Sequence, residues 1–217
     1  MRCIGLLGGT FDPIHFGHLR MAQELAESLS LDEVRFIPSA NPPHKAPPLV
    51  SAEHRAAMVQ LAIAGNPIFK FDDRELHRTG ASYTFDTLLS LRSELVQNTS
   101  LVLFMGSDAF TKFDTWHRWD EIIQLCHIAL VQRPLASIKE PLPKVLDTFL
   151  HNHYTENAED LHESSAGYVT MQPITPLDIS STAIRNSLQS GHSARYLMPD
   201  NALDYVHSHQ LYNSNTA

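Results

Sequence analysis

The stretch "CIGLLGGTFDPIHFGH", residues 3–18, passes from an apolar run through a turn rich in glycine and histidine toward a helix-like segment. Cys3–Leu7 reads as a strand buried on both faces. Beyond His18, Ala22, Leu25, Ala26 and Leu29 repeat at i, i+3, i+4 and i+7, one apolar helical face. Working outward, apolar runs recur at Val34–Pro38, Ile68–Phe71, Leu101–Met105, Ile128–Gln132 and Tyr168–Gln172. Helical segments are predicted between them. Ala52–Ala64 is stopped by Gly65-Asn66-Pro67, and Phe85–Val96 is begun by Thr84 with Asp86 in its first turn. Weaker patterns predict helices at Glu121–Cys126 and Leu142–His151. Strand and helix in alternation predict an α/β fold: a mostly parallel sheet with helices on both faces. After the last strand, Ser180–Leu188 and Pro199–His207 predict a small C-terminal helical part, about residues 178–212, within a single domain spanning 1–217. Residues 134–166, with Pro134, Pro141 and Pro143, are expected to form a surface excursion.

The composition narrows the function classes. At 217 residues the chain can bury a substantial core. A net charge of −8, with the charges interspersed, argues against a nucleic-acid-coating surface. Two cysteines, Cys3 and Cys126, are too few for a disulfide framework and suit a reducing compartment. No window approaches the roughly 18 apolar residues of a membrane span, and Gly8, Gly9 and Asp12 interrupt any leader-like run. A soluble, cytoplasmic protein is expected.

The first turn points to an anion. Gly8 and Gly9 let backbone N–H groups approach a phosphate, and a helix N-terminus follows them. His15 and His18, three apart, would project from one face if both lay on the first helical turn, two imidazole donors for a phosphate chain. Asp12 reads as a turn or cap residue. Gly106 and Asp108 follow a strand, at the end where ligands gather in such sheets. Trp116, in polar surroundings, could serve as an aromatic plate, whereas Trp119 reads as a packing residue. Ser180 or Ser181 suits a helix N-cap, with Arg185 one turn on, making a second anion cradle. Lys45, with His44 beside it after two prolines, and Arg133 at a strand end are candidate phosphate partners. The histidine pairs His151/His153 and His207/His209 are spaced i, i+2 on different helix faces, so no metal site held by the protein is expected.

Together these pieces resemble a known family. Residues 8–18 are similar to the HxGH signature of the nucleotidyltransferase superfamily. "PSANPPHK" (38–45), "GASYTFDTL" (80–88), "GSDAFTKFDTWHRWDEI" (106–122), "RP" (133–134) and "ISSTAIR" (179–185) resemble, in order, the bacterial nicotinate-nucleotide adenylyltransferases. The resemblance implies a Rossmann-like fold and adenylyl transfer from ATP to nicotinate mononucleotide, giving nicotinate adenine dinucleotide and pyrophosphate in NAD biosynthesis. It implies catalytic roles for His15, His18 and Arg185, with His18 nearest the α-phosphate. It implies ATP contacts from Gly8, Gly9, Thr10 and Phe11, from Gly106 and Asp108, and from Ile179, Ser180 and Ser181. Mononucleotide contacts would come from Thr10, Lys45, Tyr83, Thr84, Trp116, His117 and Arg133, with N–H groups near Thr84 and His117 receiving the pyridine carboxylate. Mg²⁺ would arrive with ATP, held by phosphates and water. A homo-oligomer is compatible with this reading; nucleic-acid and membrane partners are not expected. Related transferases acting on other mononucleotides, phosphopantetheine or cytidylyl groups share the turn. So do class I aminoacyl-tRNA synthetases, but this chain is short, acidic and without their lysine loop. An inactive nucleotide sensor would not need His15, His18 and Arg185 intact.

Overall fold

The computed structural model describes residues 1–42, 47–132 and 142–213. Six strands form one sheet: β1 (Cys3–Gly9), β2 (Glu33–Pro38), β3 (Phe69–Phe71), β4 (Ser100–Gly106), β5 (His127–Gln132) and β6 (Val169–Pro173). Their order is β3-β2-β1-β4-β5-β6. Pairing is parallel where β1 meets β4 (Cys3 opposite Ser100), β4 meets β5 (Val102 opposite His127) and β5 meets β6 (Ile128 opposite Val169). Every apolar run expected as a strand is one, within a residue or two at each end. The order reverses at β1, so the turn that follows this strand stands at the topological switch point of a doubly wound sheet.

The helices are α1 (Phe16–Ser28), α2 (Ala52–Ile63), α3 (Thr84–Glu94), α4 (Ser107–Phe110), α5 (Trp119–Ile122), α6 (Lys144–His153), α7 (Asp160–Glu163), α8 (Ser181–Gln189) and α9 (Asp200–Ser208), with a 3₁₀ turn at Phe113–Thr115. Local expectations change in places: the helix expected at 121–126 is α5, which ends at Ile122. The N-cap of α3 is Tyr83, in extended conformation, with Thr84 already its first helical residue. The stretch expected as a surface excursion is packed: it carries α6, close to the helix expected at 142–151, and α7, which was not expected, anchored by the fully buried Leu146 and Leu161. Ser180 caps α8 as expected, its hydroxyl accepting from the Ala183 N–H.

The backbone groups into two compact units. The first contains Met1–Leu7, Ala22–Arg35 and Tyr83–Pro176. Its core is the sheet's apolar ladder, Ile4, Leu101, Val102, Ile128 and Val169, all fully buried. Full burial of each such side chain contributes roughly 1.5–3 kcal/mol. Phe113 sits edge-on to Trp116, Trp119 and Phe149 at 5.6, 5.7 and 5.7 Å between ring centres. Trp119 also meets Phe149 at 5.5 Å, which makes it the packing residue its sequence context suggested. Arg92 of α3 donates to three backbone carbonyls: Leu125 at 2.8 Å, Thr99 at 2.6 Å and Ser165 at 2.7 Å. His127 is fully buried; its Nε2 meets the Ser164 carbonyl at 2.9 Å and its Nδ1 accepts from the Tyr168 N–H at 3.1 Å. Both cysteines are free and buried, and burial pushes the Cys126 thiol up to about 12.

The second unit contains Gly8–Met21, Phe36–Ser82 and Leu177–Ala217. Phe11, Phe36 and Phe69 run through it as a chain of ring contacts at 6.1 and 5.0 Å. Helix α9 lies on α2, where Asn201 Nδ2 donates to the Leu61 carbonyl at 2.6 Å and His54 Nδ1 meets the Tyr205 hydroxyl at 3.0 Å.

Candidate active site

The turn after β1 is bound from several directions within the second unit. Arg55 of α2, 1% exposed, donates from Nη1 to the Thr10 carbonyl at 2.6 Å and from Nη2 to the Ala40 carbonyl at 3.4 Å. Arg185 of α8 donates from Nη1 to the Asp12 carbonyl at 2.7 Å and from Nη2 to Thr182 Oγ1 at 3.2 Å. Ser181 donates its hydroxyl to the Pro13 carbonyl at 2.9 Å. Asp12 is buried; its Oδ1 accepts from the Tyr212 hydroxyl at 2.7 Å and its Oδ2 from the Leu49 N–H at 3.0 Å. Burial holds the Arg55 guanidinium below its ordinary value, with Asp12 opposing that shift. Phe11 adopts a left-handed φ of 49°, and its ring lies where a side chain on Gly9 would be, while the space around Gly8 is open. Among the described residues, Thr10 Oγ1 is buried with no hydrogen-bond partner.

His15 and His18 do come together, with ring centres 3.8 Å apart and planes tilted by 31°. They do so differently from the expectation, because His15 precedes α1 rather than lying on it. The His15 N–H donates to His18 Nδ1 at 3.3 Å. A ring nitrogen that accepts carries no proton, so in the neutral imidazole of His18 the proton sits on Nε2, making that nitrogen a donor. His15 is buried and His18 half-buried. Gly17 makes this pair possible. A Cβ there would stand 2.9 Å from His15 Nδ1 and 3.0 Å from its Cε1, with the Ile179 carbonyl 3.6 Å away. The third letter of HxGH is therefore glycine because an imidazole occupies the place of its side chain.

The "ISSTAIR" segment meets this turn, as Ser181, Arg185 and the Ile179 carbonyl demonstrate. The two serine hydroxyls have internal tasks, however. Ser180 caps α8 and Ser181 ties the helix to Pro13, so an anion would find the first-turn N–H groups and Arg185 more readily than those hydroxyls.

In the first unit a separate group of predicted residues assembles. Tyr83 and His117, far apart in sequence, lie ring against ring at 4.5 Å, and His117 meets Phe85 edge-on at 6.3 Å. The Arg118 guanidinium covers the Phe85 ring at 3.7 Å, aided by a left-handed φ of 52°. Trp116, half-buried, has Phe113 at its edge. Gly106 ends β4 and caps the short α4; Asp108 Oδ1 lies where a Cβ on Gly106 would be, at 2.6 Å. Lys45, His44 and Arg133 lie outside the described residues. Among the described residues no group of three or more His, Cys, Asp or Glu side chains is placed to hold a metal ion. No helix among them is long and apolar enough to cross a membrane.

Sequence reading missed Arg55 and Tyr212. Arg55 left a weak signal, a charged residue on the apolar side of α2, since it lies among the buried Ala56, Met58 and Val59. Tyr212 left none, because its partner Asp12 is 200 positions away.

A helix-flanked parallel sheet with a glycine-rich first turn, paired histidines and an arginine docked on that turn defines a nucleotidyltransferase. The chain belongs to the cytidylyltransferase-like family, whose model matches residues 6–187, and within it to the nicotinate-nucleotide adenylyltransferases. A Pseudomonas entomophila relative named "Probable nicotinate-nucleotide adenylyltransferase" is 48% identical over 98% of this chain and 95% of its own. A relative of the same name from Hydrogenovibrio crunogenus is 46% identical over 97% of this chain and 98% of its own. Among solved structures, Plasmodium falciparum nicotinic acid mononucleotide adenylyltransferase complexed with NaAD shares the fold. It has a TM-score of 0.73 and 18% identity, covering 98% of each chain.

Proposed function

We propose that this chain transfers the adenylyl group of ATP to nicotinate mononucleotide and releases pyrophosphate, acting as one catalytic domain over its whole length. The observation that carries this reading is the meeting of His15, His18, Arg185 and the start of α8 at one turn. The mononucleotide's phosphate oxygen attacks the α-phosphorus, and the bond to the bridging oxygen of the β-phosphate breaks. That nucleophile is already ionised near neutral pH, so the protein needs no base for it. Its work is to hold two polyanions in line and to offset charge as it shifts toward the leaving pyrophosphate. His18 Nε2–H and the Arg185 guanidinium supply the donors, with N–H groups of the turn and of α8 around them. Enzymes of this kind use a divalent metal with ATP, and we assign Mg²⁺, carried on the phosphates. The chemistry of the donor set fits, since the nearby carboxylate of Asp12 is engaged through both oxygens and leaves the cation to phosphate and water. When bound, the cation offsets triphosphate charge. In the first unit, Tyr83, Thr84, Trp116 and His117 are assigned to the pyridine ring and its carboxylate, the latter meeting free N–H groups at the start of α3.

Pyrophosphate release, measured with ATP and each mononucleotide in turn, tests this. Nicotinate mononucleotide should be preferred over its amide, by roughly 10⁴-fold if the amide leaves buried donors unpaired. A ratio below about tenfold removes the carboxylate assignment. His18→Ala should keep its circular dichroism and lose roughly 10²–10⁴ in turnover. A loss below about fivefold removes His18 from the chemistry.

A further inference from the structure

Asp12 lies inside the phosphate-facing turn, 6% exposed, and two guanidinium groups, Arg55 and Arg185, act on it. A buried carboxylate beside a guanidinium ordinarily closes into a bidentate pair. Here it does not. Arg185 Nη1 stays 4.0 Å from Asp12 Oδ2 and instead takes the main-chain carbonyl of Asp12 at 2.7 Å. The carboxylate is occupied by neutral donors, Tyr212 on Oδ1 and the Leu49 N–H on Oδ2. Tyr212 is 2% exposed and follows α9 with a left-handed φ of 61°, a backbone conformation that a bulky residue adopts only when its surroundings enforce it. Burial and the Asp12 charge both push the Tyr212 phenol upward, so it stays protonated and stays a donor.

We propose that Tyr212 is a positioning residue for the transfer step, its hydroxyl holding the Asp12 carboxylate apart from Arg185 so that the guanidinium keeps its charge for a phosphate chain. The inference rests on the reading of Arg185 as a triphosphate contact. Removing the hydroxyl strands Oδ1 without a donor in a buried place, a costly state. The carboxylate can then close the 4.0 Å gap to Arg185, and a guanidinium forked by a carboxylate has little charge left for a ligand.

The test is a cycle on the full chain: Tyr212→Phe, Arg185→Ala and the double variant. Each is assayed for kcat and for KM of ATP and mononucleotide, with melting followed by circular dichroism. Tyr212→Phe should lower kcat about tenfold, the scale of a weakened charge-stabilising contact, with KM of the mononucleotide within about twofold. Added to Arg185→Ala, it should cost less than about twofold, because the group it acts through is gone. A residue that only braced the turn would cost the same factor in both backgrounds, and that outcome overturns the proposal. So does a kcat within about twofold of the parent in Tyr212→Phe, or loss of its fold at the assay temperature. If Arg185→Ala alone leaves kcat unchanged, the reading of Arg185 itself falls, and the proposal with it.

Discussion

Replacing Gly17 with alanine should separate the site from the fold. The new Cβ would stand 2.9 Å from His15 Nδ1 and 3.0 Å from Cε1, against an optimal contact of about 3.5 Å or more. One of the two must therefore retreat by about 0.6 Å. The Ile179 carbonyl, 3.6 Å from the same point, limits retreat of the methyl. The His15 ring, buried and only 3.8 Å from the His18 ring, must then yield into its partner. Misplacing a catalytic group by about 1 Å can cost roughly 10² in rate, so kcat/KM should fall on the order of 30- to 100-fold. Stability should fall by no more than about 2 kcal/mol. Gly17 is the second residue of α1, without positive φ, so alanine gains at most about 1 kcal/mol of helix propensity. That offsets an overpacking cost of about 1–3 kcal/mol. Alanine also keeps the main-chain N–H, so a lost donor cannot explain the result. Steady-state kinetics and thermal melting on one preparation decide. A kcat/KM within about fivefold of the parent would refute the steric account, and a midpoint lowered by more than about 10 °C would make Gly17 a requirement of the fold.

Arg92→Met should destabilise the chain by about 2–3 kcal/mol in urea unfolding, because three partly buried carbonyls lose a charged donor; a change under about 1 kcal/mol would show that water replaces it. Burial lowers the His127 pKa below 6.5, and the nearby Arg92 and His162 add to that, against the Ser164 carbonyl. The unfolded chain therefore binds a proton that the folded one refuses, so this stability is present above pH 6.5 and is lost as pH falls from there toward the folded pKa. Urea midpoints taken between neutral pH and about 5 should fall accordingly, and less steeply in His127→Gln. Trp116→Ala should weaken mononucleotide binding by roughly 1 kcal/mol and leave ATP binding nearly intact; calorimetry with each ligand separately checks it, and equal losses would make Trp116 a packing residue.

The strands were legible because a parallel strand buried on both faces must be apolar throughout, as Leu101–Met105 is. The helix limits were legible where local chemistry sets them, as with Ser180 capping α8. Helix α7 was not, because four residues with one buried leucine leave no period to read. Tyr83 displaced Thr84 as the cap of α3 without any side-chain cap bond, so the preference for a hydroxyl at that position misled. At the site, His15, His18 and Arg185 were readable from motif and residue type. The reason for Gly17 was not, since it lies in a ring folded back from two positions earlier. Arg55 and Tyr212 meet the turn across 45 and 200 positions, distances over which no local pattern runs.

The three carbonyls claimed by Arg55, Arg185 and Ser181 belong to Thr10, Asp12 and Pro13 of a single turn. Each is the negative end of a peptide group, and each is covered by a donor from elsewhere in the second unit. A chain of net charge −8 thus has a first turn whose carbonyl dipoles are covered by donors from outside it, although residues 8–18 contain no lysine or arginine. Hydrogen-bonded peptide groups also polarise one another, which strengthens the N–H groups that remain exposed. Attraction built this way comes from dipoles fixed by the backbone beside the docked Arg185 guanidinium, and partly buried groups feel dissolved salt far less than exposed ones do. On the proposed reading, the turn would hold phosphate with less dependence on dissolved salt than a patch of exposed charge.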